Sequence, residues 1–239
     1  MTTKQYLLRL GSILLDVVFP RLCAVCGLRL GSSERCVCLE CGLTLPRYRE
    51  ETYAAKERLL GSPLIQSLSA PFTYQHQAES HHLITALKYK SYREVASFVV
   101  RTAITEGSLR FCPEDIDLIL PVPIEEGRLQ KRGYNQAGLL AQAMSQRLDR
   151  PWSEDYLLRR RGSHSQTAFG RKERMENAHR AFSLTPNETL KASLRGKRIL
   201  LIDDLLTTGA TLLTLCDLLE GCGVRAVHIF VAAVAIKRY

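Results

Sequence analysis

"ILLIDDLLTTGATL", Ile199 to Leu212, decides how this chain folds. Four apolar residues in a row, Ile199 to Ile202, suit a strand buried on both faces, as in a parallel sheet covered by helices. Asp203 and Asp204 follow at the strand's carboxyl end, which is where such sheets bind ligands. The segment from Leu205 to Thr211 then turns into a helix. A turn entering a helix exposes unpaired N–H groups and the positive end of the helix dipole. The small residues of "LLTTGAT" let a phosphate approach, and the threonine hydroxyls add donors. Carboxylates beside that phosphate would repel it, so they need another partner. Sugar hydroxyls supply one, with or without a nearby Mg2+. The stretch therefore reads as a ribose 5-phosphate site. Neither G-x-x-x-x-G-K-[ST] nor G-x-G-x-x-G occurs in the chain. The acidic pair of a phospho-acceptor domain should follow the first strand, and this one follows a late strand. A purely structural pair of caps is the bland alternative.

Working outward, strands alternate with helices. "DIDLILPVP", Asp115 to Pro123, is a short buried strand, and "RAVHIFVAAVAI" is another. "APFTY" near Pro71 is strand-like. Residues 79–106 and 135–149 read as helices, the second with Asn135 as N-cap, and "GATLLTLCDLLEGCG" is a helix ending in glycine. The fold class is α/β, a parallel sheet flanked by helices. Residues 48–70 form an ambiguous connector, and residues 159–180 are basic and aperiodic.

The chain has 239 residues, 46% of them hydrophobic, enough to bury a sizeable core. A net charge of +9 biases it towards anionic partners such as nucleotides, phosphates or nucleic acid. Residues 1–20 look helical, with Leu7, Leu10, Leu14 and Val17 on one face, and stop at Pro20. Packing against its own domain is the better reading of that helix than a membrane surface. Arg9 and Asp16 argue against a signal peptide or a spanning segment. A cytoplasmic protein without stable membrane insertion is expected.

Five of the eight cysteines lie between Cys23 and Cys41. Cys23-x-x-Cys26 and Cys38-x-x-Cys41 are two knuckles suited to a tetrahedral Zn2+ site. Cys36 could replace Cys38, although it makes a worse knuckle with Cys41. A zinc ribbon over 1–47, N-terminal helix included, and an α/β domain over 48–239 are the expected domains. Cys112, Cys216 and Cys222 read as buried small hydrophobes.

Ile199 to Thr211 resembles the phosphoribosyl pyrophosphate (PRPP) motif of type I phosphoribosyltransferases. The resemblance implies that Asp203 and Asp204 bind the ribose 2- and 3-hydroxyls. It gives the 5-phosphate to Thr207, Thr208, Gly209, Ala210 and Thr211, with Mg2+ accompanying PRPP. "PVPIEEGRLQKRGYNQ" and residues 159–182, with Gln166, Arg171 or Arg174, Asn177 and Phe182, are similar to the ComF family, as are the cysteine knuckles. Type I transferases grip pyrophosphate in a loop after a strand, and Arg128, Lys131 and Arg132 suit that by charge. Taken alone, the same segment also reads as a surface loop before a helix cap. Lys88 matches a lysine of the ComF pattern and could reach pyrophosphate. A phosphoribosyltransferase acting in DNA uptake is one expectation. The other is a non-catalytic accessory protein of competence that binds single-stranded DNA, with competence proteins as partners. Acceptor specificity in the transferases lies in a hood, here within 48–90 or at the C-terminal end.

Overall fold

Alternate residues of the central strand point to opposite faces, and both faces are covered by protein. Leu200 and Ile202 enter one core, and Ile199 and Leu201 enter the other; all four are fully buried. That is why the sequence shows an unbroken apolar run rather than a period of two. The computed structural model describes residues 20–50, 54–76, 78–89, 93–160 and 181–236.

The sheet contains β1 (Ile65–Ser69), β2 (Phe72–Tyr74), β3 (Leu118–Pro121), β6 (Arg198–Leu206) and β7 (Ala226–Ala235). A separate antiparallel pair joins β4 (Leu157–Arg159) to β5 (Phe182–Leu184). All pairings in the main sheet are parallel, in the order β1-β7-β6-β3. β2 pairs with β7 beyond the end of β1, so the two short strands run along the same edge. Between them lies Pro71, which has no N–H to give to a ladder.

Seven described residues or more make each helix of the main layers. These are α2 (Glu79–Tyr89), α3 (Arg93–Thr105), α4 (Glu126–Arg132), α5 (Gln136–Leu148) and α7 (Ala210–Glu220). Two shorter ones are α1 (Leu39–Thr44) and α6 (Glu188–Ser193). Residues from α2, α3 and α5 share one core with the cysteine-rich module, including Cys36, Val37 and Leu45. The other core holds Leu212, Leu215 and Leu219 of α7 together with Ala55 and Leu59 of a 3-10 turn, Ala55–Leu59. Backbone bonds carry the module into the sheet, with Thr73 N–H donating to Pro46 O at 2.9 Å.

Several boundaries differ from the sequence reading. β6 does not stop at Ile202 but continues through both aspartates to Leu206, because β7 runs alongside it as far as the Leu206–Val234 pair. The connector contains β1, whose buried Ser67 bonds His228 at 2.8 Å. The segment after Pro123 forms the helix α4 rather than a loop. Cys112 is exposed at a turn into a 3-10 helix rather than buried. The expected N-terminal helix and most of the basic segment after Arg160, with Gln166, Arg171, Arg174 and Asn177, lie outside the described residues.

Candidate functional site

The site forms where β6 and β3 end. Because β6 extends to Leu206, only Thr207, Thr208 and Gly209 separate it from α7. Thr207 and Thr208 are exposed, Gly209 is buried, and Ala210 and Thr211 open the helix. The first N–H groups of a helix have no partner within it, so this short turn presents donors beside two hydroxyls. Gly209 takes a φ of +83°, a left-handed conformation favoured by glycine. A Cβ there would also sit 2.8 Å from the Arg58 carbonyl oxygen. Two independent constraints therefore fix glycine at this position.

Asp204 is buried and meets a cation. Lys88 Nζ lies 2.6 Å from Asp204 Oδ2. Gln136 Nε2 donates to the other oxygen, Oδ1, at 3.3 Å. Burial alone would raise the pKa of Asp204, but Lys88 and Gln136 hold it below the usual carboxylate value. Asp203 goes the other way. Burial, then the neighbouring Asp204 charge, push its pKa well above the usual value, although its Oδ1 accepts the Asp204 N–H at 2.8 Å. Adjacent carboxyl groups whose surroundings push their pKa values apart offer a pair of acceptors suited to a diol.

The "RGYNQ" stretch, Arg132 to Gln136, positions this pair. Gly133 closes α4 with a left-handed φ of +77°. Tyr134 Oη then donates to Leu87 O at 3.0 Å, fixing the end of α2 that carries Lys88. Asn135 caps α5 by accepting from Ala137 N–H at 3.1 Å and donates to Val122 O at 3.1 Å. Arg132 donates to Gln136 Oε1 at 2.9 Å and to Tyr89 Oη at 3.2 Å, with its guanidinium 4.8 Å from the Tyr89 ring centre. Arg132 is thus built into the network that orients Gln136. Arg128 is half-exposed and pairs only loosely with Glu125, at 3.4 Å.

Three residues outside the sequence reading join the site. Arg159, at the end of β4, stacks over Phe182 with 5.3 Å to the ring centre, and its buried Nε has no hydrogen-bond partner among the described residues. Burial, then the charge of Arg128, lower its pKa, while Asp203 and Glu125 oppose that. This guanidinium therefore feels the charges of Arg128, Glu125 and Asp203. It opens the basic segment already conspicuous in the sequence, but nothing in its spacing separates it from Arg160. Tyr89 is exposed beside Arg132. Arg58, far away in sequence, donates to Thr207 O at 2.8 Å.

A second constellation is formed by Cys23, Cys26, Cys38 and Cys41, whose Sγ atoms all lie within 4.8 Å of one another. Cys26 and Cys38 are 3.8 Å apart. Four thiolates at about 2.3 Å from one Zn2+ would stand about 3.8 Å from each other, so the donor set fits that ion. The N–H of Cys41 donates to Cys38 Sγ at 3.5 Å within the second knuckle, and the N–H of Cys38 donates to Cys23 Sγ at 3.3 Å between the two. Cys36 is not in the cluster: it is buried in the core, and burial, then Glu94, push its thiol up to about 11.

The turn and the acidic pair thus lie together at the carboxyl edge of a parallel sheet flanked by helices. A model of the phosphoribosyl transferase domain matches residues 134–238. The chain is 36% identical over 114 residues to Competence protein F of Haemophilus influenzae, a match covering 48% of each protein. It is 27% identical over 212 residues to the DNA utilization protein YhgH of Escherichia coli K12, covering 87% of this chain and 88% of that one. It is 27% identical over 198 residues to Competence protein ComFC of Bacillus subtilis, covering 83% and 71%. The chain is thus similar to the ComF, ComFC and YhgH proteins, its residues 134–238 match a phosphoribosyl transferase domain, and its N-terminal part carries a four-cysteine cluster. Among solved structures, the glutamine PRPP amidotransferase of B. subtilis matches with a TM-score of 0.40 and 14% identity, covering 62% of this chain and 30% of that chain. No helix among the described residues is long and apolar enough to cross a membrane.

Proposed function

We propose that this protein binds PRPP with Mg2+ at the end of β6 and transfers or presents its phosphoribosyl group in support of DNA uptake. The observation that carries the reading is the adjacency of Asp203 to Asp204, the latter held by Lys88 and Gln136, next to the three-residue turn into α7. In this reading Asp203 and Asp204 accept the ribose 2- and 3-hydroxyls. Backbone N–H groups and hydroxyls from Thr207, Thr208, Gly209, Ala210 and Thr211 hold the 5-phosphate. Lys88 leaves Asp204 for the diphosphate, where Arg128 and Arg159 add charge and Arg132 keeps Gln136 oriented. Mg2+, when bound, neutralises diphosphate oxygens. Transfer then depends on positioning and charge neutralisation more than on a strong base.

Zn2+ bound by Cys23, Cys26, Cys38 and Cys41 would fasten the module of residues 1–47 to the domain of residues 48–239, and the protein would work in the cytoplasm. A module with so little core of its own would depend on the metal to fold. A second reading, a non-catalytic accessory that binds single-stranded DNA alongside competence proteins, draws support from the net charge of +9 and the arginine run at 159–161. A panel of nucleobases incubated with PRPP and Mg2+ separates the two. Pyrophosphate release that depends on one base supports transfer. PRPP binding with no pyrophosphate release in the presence of any base leaves a binding module, and absence of PRPP binding overturns the site.

A further inference from the structure

The turn that follows β6 is shaped from outside the matched transferase domain. Arg58 lies in the 3-10 turn Ala55–Leu59, well before residue 134, where the domain match begins. Its Nη1 donates to two carbonyls, Thr207 O and Ala235 O, each at 2.8 Å. One guanidinium nitrogen thus ties the turn to the end of β7. The backbone of the same residue approaches the turn as well, since its carbonyl oxygen is what a Gly209 Cβ would strike. The 3-10 turn is itself anchored. Ala55 and Leu59 are buried, Ala55 N–H donates to Tyr48 Oη at 3.3 Å, and Lys56 N–H donates to Glu50 Oε1 at 3.1 Å.

A trans peptide points its C=O and the following N–H in opposite directions. No cis peptide is present among the described residues. Holding Thr207 O on Arg58 therefore sends the Thr208 N–H to the far side of the turn. A flipped peptide would instead aim an oxygen at an incoming phosphate, replacing a donor with a repelling acceptor.

We infer that Arg58 is a positioning residue that clamps the Thr207–Thr208 peptide so that the turn receives a phosphate monoester. The inference rests on the ribose-phosphate reading of this site and adds the part of the chain that sets its donor direction. Arg58 touches no phosphate in this scheme; it acts through the Thr207 carbonyl.

The test uses the full-length protein and two probes, ribose 5-phosphate and inorganic pyrophosphate with Mg2+. Arg58→Ala should weaken ribose 5-phosphate about tenfold, the loss expected when a charged donor is removed, and leave pyrophosphate affinity unchanged. Arg58→Lys, which keeps a cation but not the fork, should recover part of that loss. In ligand-free protein, amide hydrogen exchange of the peptide covering Leu206 to Leu212 should accelerate in Arg58→Ala, with zinc content and overall secondary structure unchanged. Equal losses for both probes, or wild-type ribose 5-phosphate affinity in Arg58→Ala, would overturn the clamp. Wild-type protein that ignores ribose 5-phosphate overturns the site reading instead. Even then the exchange measurement decides whether Arg58 holds the turn: unchanged rates mean it does not.

Discussion

Replacing Gly209 by alanine tests the geometry of the turn with a single methyl group. Two penalties combine. The residue sits at a φ of +83°, where a non-glycine residue costs about 1–3 kcal/mol. The new Cβ would lie 2.8 Å from the Arg58 carbonyl oxygen and 3.1 Å from Leu59 Cδ2. The oxygen belongs to backbone in an anchored 3-10 turn, so it cannot swing aside as a side-chain tip would. Relieving such overpacking costs about another 1–3 kcal/mol. A combined loss of about 4 kcal/mol lowers the melting temperature of a chain this size by about 8–16 °C. Two internal controls separate the contributions. Gly196 has a φ of +73° with nothing within 4 Å, so Gly196→Ala carries the strain alone. Gly61 meets only Leu213 side-chain carbons at 3.4 Å and has no left-handed φ, so Gly61→Ala should be close to neutral. Thermal melting followed by circular dichroism ranks the three. If Gly209→Ala melts no lower than Gly196→Ala, the close approach of Arg58 to the turn is wrong, and the clamp falls with it.

Two further outcomes follow from the cysteine cluster and the acidic pair. Cys36→Ala should retain one equivalent of Zn2+ by mass spectrometry of freshly purified protein, whereas Cys38→Ser should lose it; the reverse pattern would put Cys36 in the cluster. Asp203 has a folded pKa above its unfolded value. Its contribution to stability is therefore fully present below the unfolded carboxyl pKa and is lost as pH rises through the folded pKa. Asp203→Asn cannot ionise, so its melting temperature relative to wild type should climb between pH 4 and pH 8. A difference that stays flat across that range contradicts the burial and repulsion assigned to Asp203.

How much of this was legible in the sequence depends on where each contact partner lies. β6, β7 and α7 are written in local pattern: apolar runs long enough for a doubly covered strand, then small residues, then a helix closed by glycine. The cysteine spacing favours Cys38 over Cys36, and the cluster agrees, because a knuckle is a local turn. β1 is different. "IQSLS" has weak apolar character, and it is a strand because β7 offers it an edge and the buried Ser67 hydroxyl shares a hydrogen bond with His228 Nδ1. The full length of β6 was likewise hidden, since two aspartates end a strand by composition but not when a neighbour continues to pair with them. Within the site, Asp203, Asp204 and the turn stand out by adjacency. Lys88 and Gln136 converge on Asp204 only through the packing of α2 and α5 against the sheet. Arg58 is separated from Thr207 by 149 positions, and no spacing rule connects them. Arg159 is distinguished from Arg160 by the Phe182 ring it stacks on, a property of the folded surroundings rather than of the residue.

The central claim, a ribose-phosphate clamp at the end of β6, is tested most directly by isothermal titration of the full-length protein with PRPP and Mg2+. Wild-type protein should bind saturably with one site per chain, and the double replacement Asp203→Ala plus Asp204→Ala should abolish that binding while zinc content stays at one equivalent. No heat of binding in wild type, or undiminished affinity in the double variant, would contradict the account.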